Sequence, residues 1–356
     1  MRLSHIFQKG RSQTPPPKTY RPGHPLSHRR EAWLAGLPAH VELNHSVHAP
    51  TIIAIGGGKG GVGKSILSSN LAARLGQAGH KVLLTDLDIG GANLHTYFGI
   101  PMPQKTLADY ILMGQGSLWD TVIPTNTPNV HLAPGGRDES WSDASDFGAG
   151  AFLGFWDSIL NAKEEKNFDF IIIDLGAGTQ KHTIDFFTAA HLGIVTVLPE
   201  PTSIENAYSF LKATLWRLIE NAGIRMHSCA VADELKDLLF SPNPKNLSSS
   251  VERLKSQAHK HPELIKHIFT SLEGRNIGFI VNQIRTQRDI DIGRSMETVC
   301  HTYFGFQTTA LGYLNYDDAA WKSLRNRRLL VTDFPHAILA RRITEVSGKV
   351  LSTLGY

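Results

Sequence analysis

Gly58, Gly63, Lys64 and Ser65 satisfy the spacing G-x-x-x-x-G-K-[ST] inside TIIAIGGGKGGVGKS, residues 51–65. That pattern is a phosphate cradle. Glycines leave backbone N–H groups uncovered, so Gly58, Lys59, Gly60, Gly61, Val62, Gly63, Lys64, Ser65 and Ile66 can surround phosphate oxygens at a helix N-terminus. Lys64 would reach the β- and γ-phosphates, and Ser65 would ligate magnesium. Gly58, Gly60 and Gly63 also read G-x-G-x-x-G, the dinucleotide fingerprint, with Asp86 downstream. A lysine and a metal-binding hydroxyl at the helix start serve a triphosphate and have no use in a dinucleotide site. ATP and Mg2+ are therefore the expected ligands.

Three carboxylates end apolar runs. KVLLTDLD presents Asp86 and Asp88, and FDFIIIDLGAG presents Asp174. In a parallel α/β sheet the strand C-termini face the ligand crevice, so all three point toward the cradle. Asp174 would meet the magnesium opposite Ser65, and the glycines at 176 and 178 could move with the γ-phosphate. The segment IGGAN, residues 89–93, reads as a second mobile switch.

The loop KGGVGKS, continued by LLTDLDIGGANL, IIIDLGAG and the PEPTSIENAY turn, resembles the deviant phosphate loop of the MinD/ParA family of ATPases and, within it, the flagellar-placement regulators. The resemblance spans most of residues 51–356 apart from 222–274. It implies that Lys59 crosses a dimer to the partner's nucleotide and neutralises transition-state charge there. It further implies that Asp86 belongs to the metal's water shell, that Asp88 positions the attacking water, and that Asn282 recognises adenine. An ATP-dependent homodimer, slow hydrolysis and a protein partner, a flagellar-placement GTPase or a basal-body component, follow from the same likeness. Such regulators carry a DQAxxLR-like activating peptide, and residues 1–50 have no match to it. The alternatives are a ParA-like partition ATPase on nucleoid DNA, using Arg325, Arg327 and Arg328, and a scaffold that binds nucleotide without turnover.

Buried strands must carry these residues, alternating with helices. Strands are expected at 51–55, 81–88, 130–132, 168–174, 191–198, 276–281 and 308–311, with helices at 66–79, 151–165, 203–219, 292–303 and 335–354. The fold class is α/β, a doubly wound and mostly parallel sheet of the SIMIBI-type P-loop NTPases with a helical insertion. Residues 1–50 read as a basic, Pro/His-rich, disordered tail with one short helical stretch near 31–36. Residues 51–356 read as the ATPase domain, with the inserted helical element at 222–274 containing helical stretches near 230–239 and 248–270.

Composition narrows the class. With 356 residues, 41% hydrophobic and 19% charged, the chain resembles an ordinary globular protein. Its net charge of +4 comes from the tail, where seven Lys/Arg meet two acids, and the rest sums to −1. A body-wide electrostatic footprint for DNA is thus missing. No apolar run reaches the roughly 20 residues of a membrane span, and the first thirty residues lack a signal-peptide core. Cytoplasm is the expected compartment, with attachment to a membrane surface or cell pole through the amphipathic last helix disfavoured against core packing. Cys229 and Cys300 lie in no ligand spacing and read as reduced, inert thiols.

Overall fold

The computed structural model describes residues 49–88, 91–113, 116–136, 149–240 and 249–356. The tail at 1–48, with its expected short helix, and residues 89–90 of the expected switch lie outside the described residues.

Eight strands form one sheet in the order β3-β4-β2-β5-β1-β6-β7-β8. They are β1 (Thr51–Gly56), β2 (Val82–Leu87), β3 (Ile123–Pro124), β4 (Val130–Ala133), β5 (Phe170–Leu175), β6 (Leu192–Val197), β7 (Asn276–Ile284) and β8 (Gln307–Asn315). Among the described strands only the two-residue β3 runs antiparallel. The central strands are buried on both faces, which is why they read as continuous apolar runs with no alternation.

Successive side chains of one strand still go to opposite faces. Ile52 and Ala54 join one core cluster, Ile53 and Ile55 the other. The second face is covered by α1 (Lys64–Gln77), α2 (Leu94–Tyr97) and the chain's last helices, α13 (Asp318–Arg325), α14 (Leu330–Asp333) and α15 (Ile338–Leu354). In α15 the stripe Leu339, Ile343, Val346 and Val350 is buried against the sheet, so its apolar side is spent on the core. The first face carries α3 (Leu107–Met113), α4 (Leu118–Thr121), α5 (Ala149–Leu160), α6 (Ala162–Lys166), α7 (Lys181–Thr188), α8 (Pro201–Arg225), α9 (Cys229–Phe240), α10 (Ser250–Ser256), α11 (Pro262–Glu273) and α12 (Gln287–Phe304).

Several boundaries differ from the sequence reading: the helix expected at 151–165 is two, the one expected at 292–303 starts at Gln287, the strand expected at 276–281 runs to Ile284, and three further differences have a visible cause. The helical stretch near 248–270 is two helices, because Pro262 cannot donate and pushes His261 out of helical geometry, to φ −133°. α8 starts at Pro201 as its N1 residue and continues to Arg225, taking in the first residues of the expected insertion. β8 does not stop at Leu311: Gly312 adopts φ +148°, the register shifts, and pairing resumes to Asn315.

Candidate functional site

The sheet register assembles the carboxylates. Asp174 pairs with Ile55 of β1 on one side and with Asp86 of β2 on the other, so two acids stand beside the start of the glycine loop. The loop itself is shaped by Gly61 (φ +75°) and Gly63 (φ +93°), conformations that a side chain would strain. Gly63 is also the N-cap of α1, which has no side-chain cap and no acid in its first turn. Its leading N–H groups are left for an anion, with Lys64 beside them, buried at 6% exposure.

Two contacts brace the loop. A Cβ on Gly58 would lie 2.1 Å from the carbonyl oxygen of Asn206 on α8. At the far end, Asn282 at the C-terminal end of β7 donates from Nδ2 to Val62 O at 2.8 Å. Lys59 lies on the outer rim, its side chain 38% exposed, with Nζ 3.2 Å from Glu200 Oε2 and 3.4 Å from Thr202 Oγ1 at the start of α8.

Burial in the crevice works against charge. Desolvation pushes the Asp174 carboxyl up to about 7, although the Ser65 hydroxyl and Lys64 ammonium nearby favour its ionised form. Asp86 is raised well above the usual carboxylate range, first by burial and then by Asp174, while N–H donation from Leu94 at 3.0 Å and Asp88 at 3.3 Å opposes this. Tyr97 of α2 is pushed up to about 12 by burial and by the same two acids. Nothing in its spacing marked it beforehand.

Both Asp174 oxygens are buried and face the Ser65 and Ser68 hydroxyls, but among the described residues neither closes a hydrogen bond of good geometry. Orphaned acceptors opposite a serine hydroxyl suit a hydrated divalent cation, which would donate through its waters and repay the desolvation. Magnesium therefore fits the residues present. Asp88 lies between Gly91 and Gly176: a methyl on Gly176 would come within 3.0 Å of Oδ1, and one on Gly91 within 3.2 Å of Oδ2.

The structure thus brings Gly58 to Ile66, Asp86, Asp88, Asp174 and Asn282 to one edge of the sheet. Arg325, Arg327 and Arg328 are separate and exposed, Arg325 lying over the Trp321 ring at 5.1 Å and Arg328 3.8 Å from Asp333. Sequence reasoning did not find Thr202 and Asn206, whose contacts with the loop depend on the packing of α8. Among the described residues no group of three or more His, Cys, Asp and Glu side chains is placed to hold a metal, so a cation here rests on the Ser65 hydroxyl and on waters, and no helix is long and apolar enough to cross a membrane.

Residues 50–268 match the family model described as an AAA domain, which is more than half of the chain. The chain belongs to that family and has the α/β fold of the MinD-type P-loop NTPases. Antiactivator FleN of Pseudomonas aeruginosa is 34% identical over 181 residues, 47% of this chain and 57% of that protein. The flagellum site-determining protein YlxH of Helicobacter pylori is 36% identical over 162 residues, 45% and 52% of the two chains. The chain thus spans about half the length of the curated relatives it matches. In fold it is similar to the septum site-determining protein MinD of Pyrococcus horikoshii, solved with Mg-ADP, at TM-score 0.56 and 21% identity, covering 86% of this chain and 98% of that one.

Proposed function

We propose that this MinD/ParA-type chain is an ATP-dependent dimerisation switch with slow turnover, which sets the position or number of a cellular structure, flagella in the first instance, in the manner of an FlhG-type regulator. One observation carries the reading: two lysines of one loop stand in different surroundings, Lys64 buried at the head of α1 and Lys59 on the rim, where among the described residues Glu200 and Thr202 hold it. The likeness to the flagellar proteins FleN and YlxH supports the choice of flagella.

In this mechanism the α1 N-terminus and Lys64 bind the β- and γ-phosphates, and Asp88 orients a water for in-line attack. The water oxygen bonds to the γ-phosphorus as the bridging oxygen leaves with ADP. Lys59 of a second copy, released from Glu200, offsets charge on the transferring group. Ser65 directly, and Asp86 and Asp174 through waters, would hold magnesium, which would supply positive charge to the phosphates. Departure of phosphate lets the segments after Asp86 and Asp174 relax, and the dimer opens.

Light scattering tests the proposal on an Asp88→Ala variant. With ATP and magnesium it should run at twice the mass it shows without nucleotide; single chains under both conditions would sink the switch. Phosphate release from wild type but not from Lys64→Ala separates turnover from a nucleotide-binding scaffold. Cells lacking the protein should carry an altered number or placement of flagella; unchanged flagella would leave a dimer switch with another cargo.

A further inference from the structure

A cleft of about 240 Å³ opens where α8, α9, α10 and α12 meet, lined by Tyr208, Ser209 and Lys212 of α8, Leu239 of α9, Arg253 of α10 and Tyr303 of α12. Tyr303 lies at the end of α12, just before β8 begins at Gln307, so the cleft faces the N-terminal ends of the strands, opposite the glycine loop. Among the described residues its lining holds two cations and three hydroxyls, and no carboxylate. Arg253 is fixed in the wall, where Nη1 donates to Leu238 O at 3.1 Å and Leu239 O at 3.2 Å, carbonyls that the end of α9 leaves over. The acids of these helices stand outside that wall. Glu205 is a turn before Ser209, Glu252 accepts from Ser249 N at 3.0 Å, and Asp233 pairs with Lys236 at 2.6 Å.

The surface continues past the cleft. Tyr208, Lys212 and Trp216 recur at steps of four along α8, which stacks them on one side of the helix over about 12 Å. Trp216 is 42% exposed and carries the Lys236 ammonium 5.2 Å from its ring centroid, and Tyr303 is 39% exposed. Aromatic rings thus alternate with cations along a track longer than the cleft. A small organic acid would fill the cleft and leave Trp216 idle, whereas a peptide covers both.

We propose that this face docks an acidic segment of a partner protein: an apolar side chain seats on Leu239 between Tyr208 and Tyr303, a carboxylate meets Lys212 and Arg253, and the segment runs on over Trp216. Tyr, Trp and Arg are the side chains that dominate interface energies, and the positive lining selects the sign of the partner. The docking does not require nucleotide, so it stands or falls apart from the ATP switch.

A phage-displayed library of random dodecapeptides, panned on the full chain, tests the assignment. Enriched sequences should place an Asp or Glu close to a Leu, Ile, Phe or Trp. A synthetic copy of the leading sequence, followed by fluorescence anisotropy, should bind Lys212→Glu at least about tenfold more weakly than wild type and Lys212→Arg equally well. Trp216→Ala, a second exposed position, should weaken the same peptide at least about threefold, and all three variants should melt with the wild type. No enrichment, basic enriched sequences, or a peptide indifferent to both Lys212→Glu and Trp216→Ala overturns the proposal. Displacement of the peptide by equimolar phenylacetate also overturns it, because the cleft then belongs to a small molecule.

Discussion

Lys64 and Lys59 share a loop and differ in surroundings, which gives their substitutions different signatures. Lys64→Ala removes a buried cation from the phosphates, and ATP affinity should fall at least about a hundredfold in a fluorescent-nucleotide titration, with the melting temperature little changed. Lys59→Ala should leave ATP binding by the single chain within about threefold yet abolish ATP-dependent dimer mass and phosphate release. A different pH effect resides in His191, whose Nδ1 accepts the Ile52 N–H at 3.0 Å. Burial, with Arg275 adding repulsion, holds its imidazole down at about 3. The unfolded chain takes up that proton near 6.5 and the folded chain refuses it, so this stability is complete above pH 6.5 and drains as pH falls toward 3. The slope is at most about 1.4 kcal/mol per pH unit. Urea midpoints measured from pH 7 to 4.5 should fall less steeply for His191→Gln than for wild type.

Elements meet at α8, which touches the loop at its start and the first-face helices along its length. Gly58→Ala drives a methyl into the Asn206 carbonyl, a backbone atom that cannot swing aside. The loop should shift, with ATP affinity down at least about tenfold and a lower melting temperature in the same preparation. Between α7 and α8, Arg217 and Asp185 form a buried pair, Nη2 to Oδ2 at 2.9 Å, with Glu220 taking Nη1 at 2.7 Å. Asp185→Ala leaves the buried guanidinium held by Glu220 alone and should cost about 3 kcal/mol by urea denaturation, whereas Asp185→Leu with Arg217→Met should recover most of it.

At the scale of the molecule, the strands bearing the site are the most buried part of the chain, and α9 to α11 pack outside them on α8 and α12. Hydrogen exchange should therefore release α9 to α11 amides before those of β1, β5 and β6, which open only with global unfolding. Adding ATP and magnesium should slow exchange across residues 58–66 and 176–178 by about tenfold or more and leave α9 to α11 unchanged, since the ligand touches only the strand ends.

Glycine spacing, the Lys-Ser pair and apolar runs ending in Asp86, Asp88 and Asp174 determined the fold class and which residues meet at one edge of the sheet, because these signals are local and a parallel sheet sends every strand end to that edge. Sequence could not show that Lys59 rests on Glu200, that Gly58 abuts Asn206, or that Asn282 donates to Val62 O. Those partners stand up to 220 positions apart along the chain. Only the packing of α8 and β7 against the loop brings them into contact, and no periodicity or propensity encodes a contact between segments whose separation is set by the sheet.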